Sequence, residues 1–427
     1  MPIYAQIKSA SAAIAGSFWF VPLLMAIGGL VLANVMVSLE TIEGLEGLRQ
    51  HDFYPRFGPE GARSVLTTIA GGMMTMASLV FSLTFVGLTL LSGQLGPRVL
   101  MMFMQDTVTQ IVLGAFVGVF LFTLVILGNV SELQDGFVPH LAVSAAIAIA
   151  TGAFGLVIFF VHHMAISIQA DVIVADLGKQ FKAAMERVTE RAEKTDIAAA
   201  NRAAPHFEGF AGVPVPAPRS GYVRHINYAQ LLECAQSEGL RLDLTLRPDD
   251  FVAEGLPMLH AEGARPDIKA LARAFTIGPR RDVLQEATYE ARALIDIALR
   301  ALSPGINDPN TAVAAIDHLS AGLIPLVRSE GVPRVLFDPS GRACLHRPDL
   351  GLGHYLDLIV PALLPALRSD TLATERLIEL LILVDRVSRQ SQQRDEIEKW
   401  RAVVAREVEN HELPTALTDW LKAKARE

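Results

Sequence analysis

VLTTIAGGMMTMASLVFSLTFVGLTLLSGQ (Val65–Gln94) carries no charged side chain, and the charge-free interval extends from Arg63 to Arg98. An α-helix rises about 1.5 Å per residue, so roughly 20 apolar residues cross the ~30 Å hydrocarbon core of a bilayer. The stretch exceeds that length. Three more intervals have the same property: Lys8 to Glu40, Asp106 to Glu132 and Asp135 to Asp171. Four spans are therefore expected near residues 15–39, 65–94, 108–130 and 141–168. The first is too long for the apolar region of a cleaved signal peptide, about 7–15 residues, and reads as a retained signal anchor.

Outward from these spans the composition changes. Half of the 427 residues are hydrophobic, yet nearly all the charge lies after residue 170. The fold class this predicts is an α-helical membrane domain of four transmembrane helices, followed by a soluble α+β, mainly helical, cytoplasmic domain. The expected divisions are 1–170 for the membrane domain, 171–219 for a helical stalk and Pro-rich linker, 220–264 for a small α/β unit, and 265–427 for a mainly helical domain. Orientation follows from basic residues in short flanking loops. Lys8, Arg98 and the group Lys179, Lys182, Arg187, Arg191 and Lys194 mark one side, whereas Glu132 and Asp135 occupy a loop without a basic residue. Arg49, Arg56 and Arg63, set among five acidic residues in the first loop, are the contrary signal. Both termini are expected in the cytoplasm. A net charge of −8 argues against a nucleic-acid partner, which requires a basic face. Cys234 and Cys344 lack metal or redox spacing and read as inert thiols.

Within the second span Ser64, Thr68, Gly71, Thr75, Ser78, Ser82, Thr89 and Ser92 recur at steps of three, four and seven, with Phe85 interrupting the series. At about 3.6 residues per turn they share one face. Hydroxyl and glycine faces allow membrane helices to approach closely and bond, so one reading is a packing seam. The other is that copies of this helix in a homo-oligomer surround an aqueous path, with Phe85 as an apolar constriction that gates by dewetting. No Asp, Glu, Lys or Arg lies inside a span, which speaks against an ion-coupled transporter. His162 and His163 point about 100° apart on a helix, a poor chelating arrangement. They read as interfacial histidines bonded to backbone or water, with pH sensing as the alternative.

In the soluble part, Val174, Leu177, Phe181, Met185 and Val188 define a helical stalk, and Pro205, Pro214, Pro216 and Pro218 mark Ala204–Arg219 as a linker. Leu240, Leu242, Leu244 and Leu246 alternate as in a strand, and Val335–Leu345 reads as a hairpin turning at Asp338 to Gly341. The stretch ALRALSPGINDPNTAVAAID (Ala298–Asp317) is a helix–loop–helix corner, with Asp308 as N-cap and Pro309 in the first helical position. One reading is structural. The other is a ligand-binding loop presenting Ser303, Asn307, Asp308, Asn310 and Thr311, with Arg280, Arg281 and Asp282 lining the same cleft and the helix N-terminus facing an anion. No P-loop, G-x-S-x-G, H-E-x-x-H or C-x-x-C occurs. An enzyme, a cofactor and a bound metal are therefore not expected.

The segment LLSGQLGPRVLMMFMQDTVTQIVLGAFVG (Leu90–Gly118), HHMAISIQ (His162–Gln169), SGYV (Ser220–Val223) and ALSPGINDPNTA (Ala301–Ala312) together resemble a bacterial family of predicted membrane proteins, domain of unknown function number 2254. The resemblance extends over nearly the whole chain, and its four motifs occur in order. The resemblance implies a multi-pass architecture in the bacterial inner membrane and brings no activity with it. Family members typically have glycine where this chain has Asp249, in RPDDFVAEG. Two functions follow for test: a homo-oligomeric channel or pore component with the second helix lining the path, or a membrane-anchored sensory or scaffolding protein whose cytoplasmic domain binds a ligand or partner.

Overall fold

The computed structural model describes residues 18–40, 57–96, 103–104, 106–130, 137–192, 200, 207, 210, 212–279, 281, 287–338, 340–365, 370–409 and 423. The chain divides into two compact units, Met1–Gln169 and Ala170–Glu427.

The first unit holds four helices: α1 (Phe20–Glu40), α2 (Pro59–Gln94), α3 (Thr107–Asn129) and α4 (His140–Ser167). All four are long and apolar enough to cross a membrane. Helix α3 is the centre, packing on each of the others. Lipid tails give apolar helices no hydrophobic reason to associate, so close packing of small residues must do it. Gly114 and Gly118 on α3 and Gly29 on α1 supply that packing. A Cβ at Gly29 would lie 2.2 Å from the Gly118 carbonyl oxygen, and one at Gly118 would lie 2.9 Å from that of Met25. Bare backbone meets bare backbone at this crossing. Side chains from neighbouring helices satisfy helix termini. Glu40, 7% exposed, accepts the Leu141 N–H at 2.9 Å at the start of α4, where Pro139 offers no cap. Arg63 donates to the Val130 carbonyl at 3.2 Å just past the end of α3. That bond is why α2 starts at Pro59 rather than at the expected residue 65: Arg63, which set the expected boundary, is accommodated inside the first turns of the helix.

The second unit contains α5 (Ala170–Ala192), β1 (Val213–Pro216), β2 (Gly221–Ile226), α6 (Tyr228–Ser237), β3 (Arg241–Leu244), β4 (Phe251–Val252), β5 (Pro257–Glu262), α7 (Ile268–Ala272) and β6 (Phe275–Gly278). There follow α8 (Thr288–Ala301), α9 (Pro309–Arg328), β7 (Val335–Phe337), β8 (Ala343–His346), α10 (Leu352–Leu363), α11 (Thr371–Val387) and α12 (Ser391–Glu409). One sheet has the order β1-β5-β3-β8-β7, parallel only at β3–β8, and a second has the order β4-β2-β6. Val223, Leu242, Leu244, Leu259, Ile277 and Leu345 meet in the core shared by the two sheets.

Three expectations change here. The presumed stalk α5 is a core helix: Val174, Leu177, Phe181 and Met185 are buried, and it packs on α8 and α9. Gly322 on α9 is needed there, because a Cβ would lie 2.0 Å from the Phe181 ring. The presumed linker Ala204–Arg219 contains β1, which pairs with β5 from Val213↔Ala261 to Pro216↔Pro257. Edge strands tolerate proline, so the prolines that suggested a linker also suit an edge. Finally, the strands of 220–264 do not form a unit by themselves, since β2 pairs with β6 and β3 with β8. The hairpin β7–β8 forms as expected, with the Asp338 carboxylate accepting Ser340 N–H and Arg342 N–H. By length and composition α9 is a fifth helix able to cross a membrane, with 56% of its apolar window buried in this unit.

Candidate functional site

On α2 the residues Ala62, Leu66, Ala70, Met73, Ala77, Val80 and Leu91 are buried, facing α3 and α4. The hydroxyl series is on the opposite side. Ser64, Thr68, Gly71, Thr75, Ser78, Ser82 and Thr89 are exposed, and Ser92 is half-buried. Phe85 is 62% exposed among them. Among the described residues of this unit the stripe is therefore no part of the helix packing. Thr68, Thr75, Ser78 and Thr89 each donate to the carbonyl four residues back, at 2.8–2.9 Å. None of these four hydroxyl protons is stranded in an apolar medium, while each oxygen keeps lone pairs free to accept. Such a face accepts hydrogen bonds from water or from another helix.

The unit's other polar constellation joins the start of α3 to the end of α4. Asp106 caps α3 by accepting Thr109 N–H at 3.0 Å and Thr109 Oγ1–H at 2.5 Å, and its Oδ2 lies 3.0 Å from His163 Nε2. Ser167 Oγ is 3.3 Å from the same nitrogen. A hydrolytic relay needs the nucleophile and the carboxylate on opposite ring nitrogens, so this is a clasp between two helices and no triad. The expectation of a backbone or water partner is corrected for His163, whose partner is a carboxylate; His162 is exposed. The cap was legible in Asp106 before an apolar run, whereas its pairing with His163, 57 residues on, was not.

In the second unit the helix–loop–helix corner forms with Asp308 as N-cap and Pro309 at the first position of α9. Its polar groups are spent locally. Ser303 Oγ donates to Arg300 O at 2.6 Å, Asp308 N–H donates to Ala301 O at 2.8 Å, and the Asp308 carboxylate accepts Thr311 N–H and Oγ1–H. Thr311 is buried. Asn307, at φ 50°, and Asn310 are the exposed polar side chains. Arg280 and Asp282 lie outside the described residues. Arg281 does not serve this loop: its Nε is 3.6 Å from Asp249 Oδ1, and its guanidinium stacks 4.8 Å from the Tyr222 ring centroid.

Two sites escaped the sequence reading. Asp249 has a left-handed backbone (φ 80°) and is 4% exposed, with Oδ2 2.8 Å from Arg292 Nε. This explains the glycine expected at its position, since that conformation costs every other residue something. The register also places His260, Asp243 and His346 opposite one another on β5, β3 and β8. His346 Nδ1 is 2.7 Å from Asp243 Oδ1, and Phe207 stacks on the imidazole at 5.5 Å. Among the described residues, no group of three or more His, Cys, Asp or Glu side chains is arranged to hold a metal. Strand pairing between positions about a hundred residues apart leaves no trace in local spacing. The Cys344 thiol is pushed up to about 11 by burial and then by Asp338, and burial raises Cys234 as well.

The family model described as predicted membrane protein, domain of unknown function 2254, matches residues 15–382. An uncharacterized protein of Mycobacterium bovis, and one from each of two Mycobacterium tuberculosis strains, are 32% identical to this chain over 273 residues. The match covers 62% of this chain and 52% of those proteins, about half the length of the relatives. No solved structure matches.

Proposed function

The chain belongs to this family of predicted membrane proteins, and we propose that it is a homo-oligomeric inner-membrane protein in which copies of α2 surround a polar path. In this reading α1 to α4 cross the bilayer, both termini are cytoplasmic, and Ser64, Thr68, Thr75, Ser78, Ser82, Thr89 and Ser92 wet the path, with Phe85 as its constriction. The observation that carries it is the outward position of the hydroxyl series on α2. One apolar face, from Ala62 to Leu91, packs within the unit, and the hydroxyl series is left outward beside the exposed Met74, Leu79, Phe81, Val86 and Leu90. The basic residues flanking the spans support the orientation.

Planar-bilayer current from the reconstituted chain, wild type beside Ser82→Asp and Thr75→Asp, tests it. Unitary currents whose cation selectivity rises in the variants are expected. Silence of the wild type over a wide range of voltage, tension and pH sinks the pore. A second reading, an anchored protein that binds a ligand at Ser303–Thr311, draws on the exposed Asn307 and Asn310. There, Asp308→Ala abolishes binding by more than the ~1 kcal/mol of a lost cap explains.

A further inference from the structure

Between α9 and α11 lies a cleft of about 540 Å³ whose walls include Ile324, Leu380, Leu383 and Val387. A volume of roughly 300–1,000 Å³ with apolar walls and a few polar groups suits a small organic ligand. Three arginines line the cleft. Arg376 is spent, with Nε 3.0 Å from Asp317 Oδ1 and Nη1 2.6 Å from Glu379 Oε2. Arg328 and Arg386 differ: among the described residues neither has a carboxylate partner. Each lies in the last turn of its helix, where a cation suits the macrodipole. That accounts for a cation at each position, but not for both lining one apolar cleft with Leu383 42% exposed in it. Arg328 also borders a second cleft of about 470 Å³, between α5 and α9, lined by Ile324, Pro325, Lys182 and Glu186, whose carboxylate lies 3.9 Å from Lys182 Nζ.

We propose that the α9–α11 cleft binds an anionic amphiphile. A carboxylate or phosphate head takes the guanidinium forks of Arg328 and Arg386, and an aliphatic chain lies over Ile324, Leu383 and Val387. The Asp317–Arg376–Glu379 group bars an anion from the other end and so fixes the ligand's direction. The proposal is independent of the pore.

The test is calorimetric titration of the full chain, in phosphatidylcholine nanodiscs, with octanoate and octyl phosphate, empty nanodiscs serving as the blank. Saturable binding is expected. It weakens at least tenfold in Arg328→Gln/Arg386→Gln, recovers in part in Arg328→Lys/Arg386→Lys, and weakens in Leu383→Asp. Octanol binding does not depend on the arginines. Heats equal to the blank, or a double Gln variant that binds like wild type, overturn the proposal. So does a change of oligomeric mass in Leu383→Asp, which assigns the cleft to a second copy. Repeating the titration with phosphatidylglycerol in the nanodiscs separates the sources. Competition identifies a bilayer headgroup as the occupant and an unchanged affinity a free amphiphile, and both support the recognition chemistry.

Discussion

Asp249 couples a backbone demand to a charge demand in one residue, and substitutions separate them. Asp249→Gly suits the φ of 80° but leaves Arg292 and Arg281 without their carboxylate. Asp249→Ala fails on both counts. Removing a buried partner from ion pairs whose arginines are about one-third exposed is expected to cost roughly 2–3 kcal/mol, with the glycine variant about 1 kcal/mol milder than alanine. Chemical denaturation of both variants measures the difference. His354 gives a prediction in pH. Burial first, then Arg247, lowers its pKa from 6.5 to about 4. The unfolded chain thus takes up a proton below pH 6.5 that the folded one refuses until about pH 4. Stability is full above pH 6.5 and is lost as pH falls through that window, by at most about 3 kcal/mol. In His354→Gln the thermal midpoint should depend less on pH between 6.5 and 4; an unchanged profile refutes the assignment. Neither residue was legible in sequence, because the partners of each come from distant segments.

For whole elements the reading depended on the kind of signal. Charge-free intervals located α1 to α4 to within a few residues, except at the start of α2, where Arg63 is bonded rather than excluded. The hydroxyl periodicity of α2 identified a face, but only packing could say that the face points away from α3 and α4. The α5 pattern was read as a helix and misread as a stalk, since an amphipathic period does not name what covers it. Gly114 and Gly118 passed unremarked, although four-residue glycine spacing is a known mark of close helix crossings. Gly118→Leu should separate α1 from α3, because a Cβ there already meets the Met25 carbonyl at 2.9 Å. Disulfide trapping between cysteines placed on α1 and α3 tests this: wild-type background should cross-link and Gly118→Leu should not. Equal cross-linking in both would mean that the crossing tolerates the side chain.

For the molecule as a whole, the division at Gln169/Ala170 predicts that residues 170–427 expressed alone remain soluble without detergent and keep their strand content by circular dichroism. The expectation bears on α9, whose composition alone would suit a membrane but whose apolar side is occupied by α5, α8 and α11. A fragment that requires detergent would return α9 to the lipid. Strand β1 closes one side of the five-stranded sheet with Val-Pro-Val-Pro. A strand's N–H groups point alternately inward and outward, and the ladder to β5 needs the inward ones from valine. The outward positions fall to Pro214 and Pro216, which have no N–H to offer. A stray strand from another molecule would find acceptors but no donors along this border, so the same two residues that imitate a linker in sequence guard this side of the sheet against edge-to-edge aggregation.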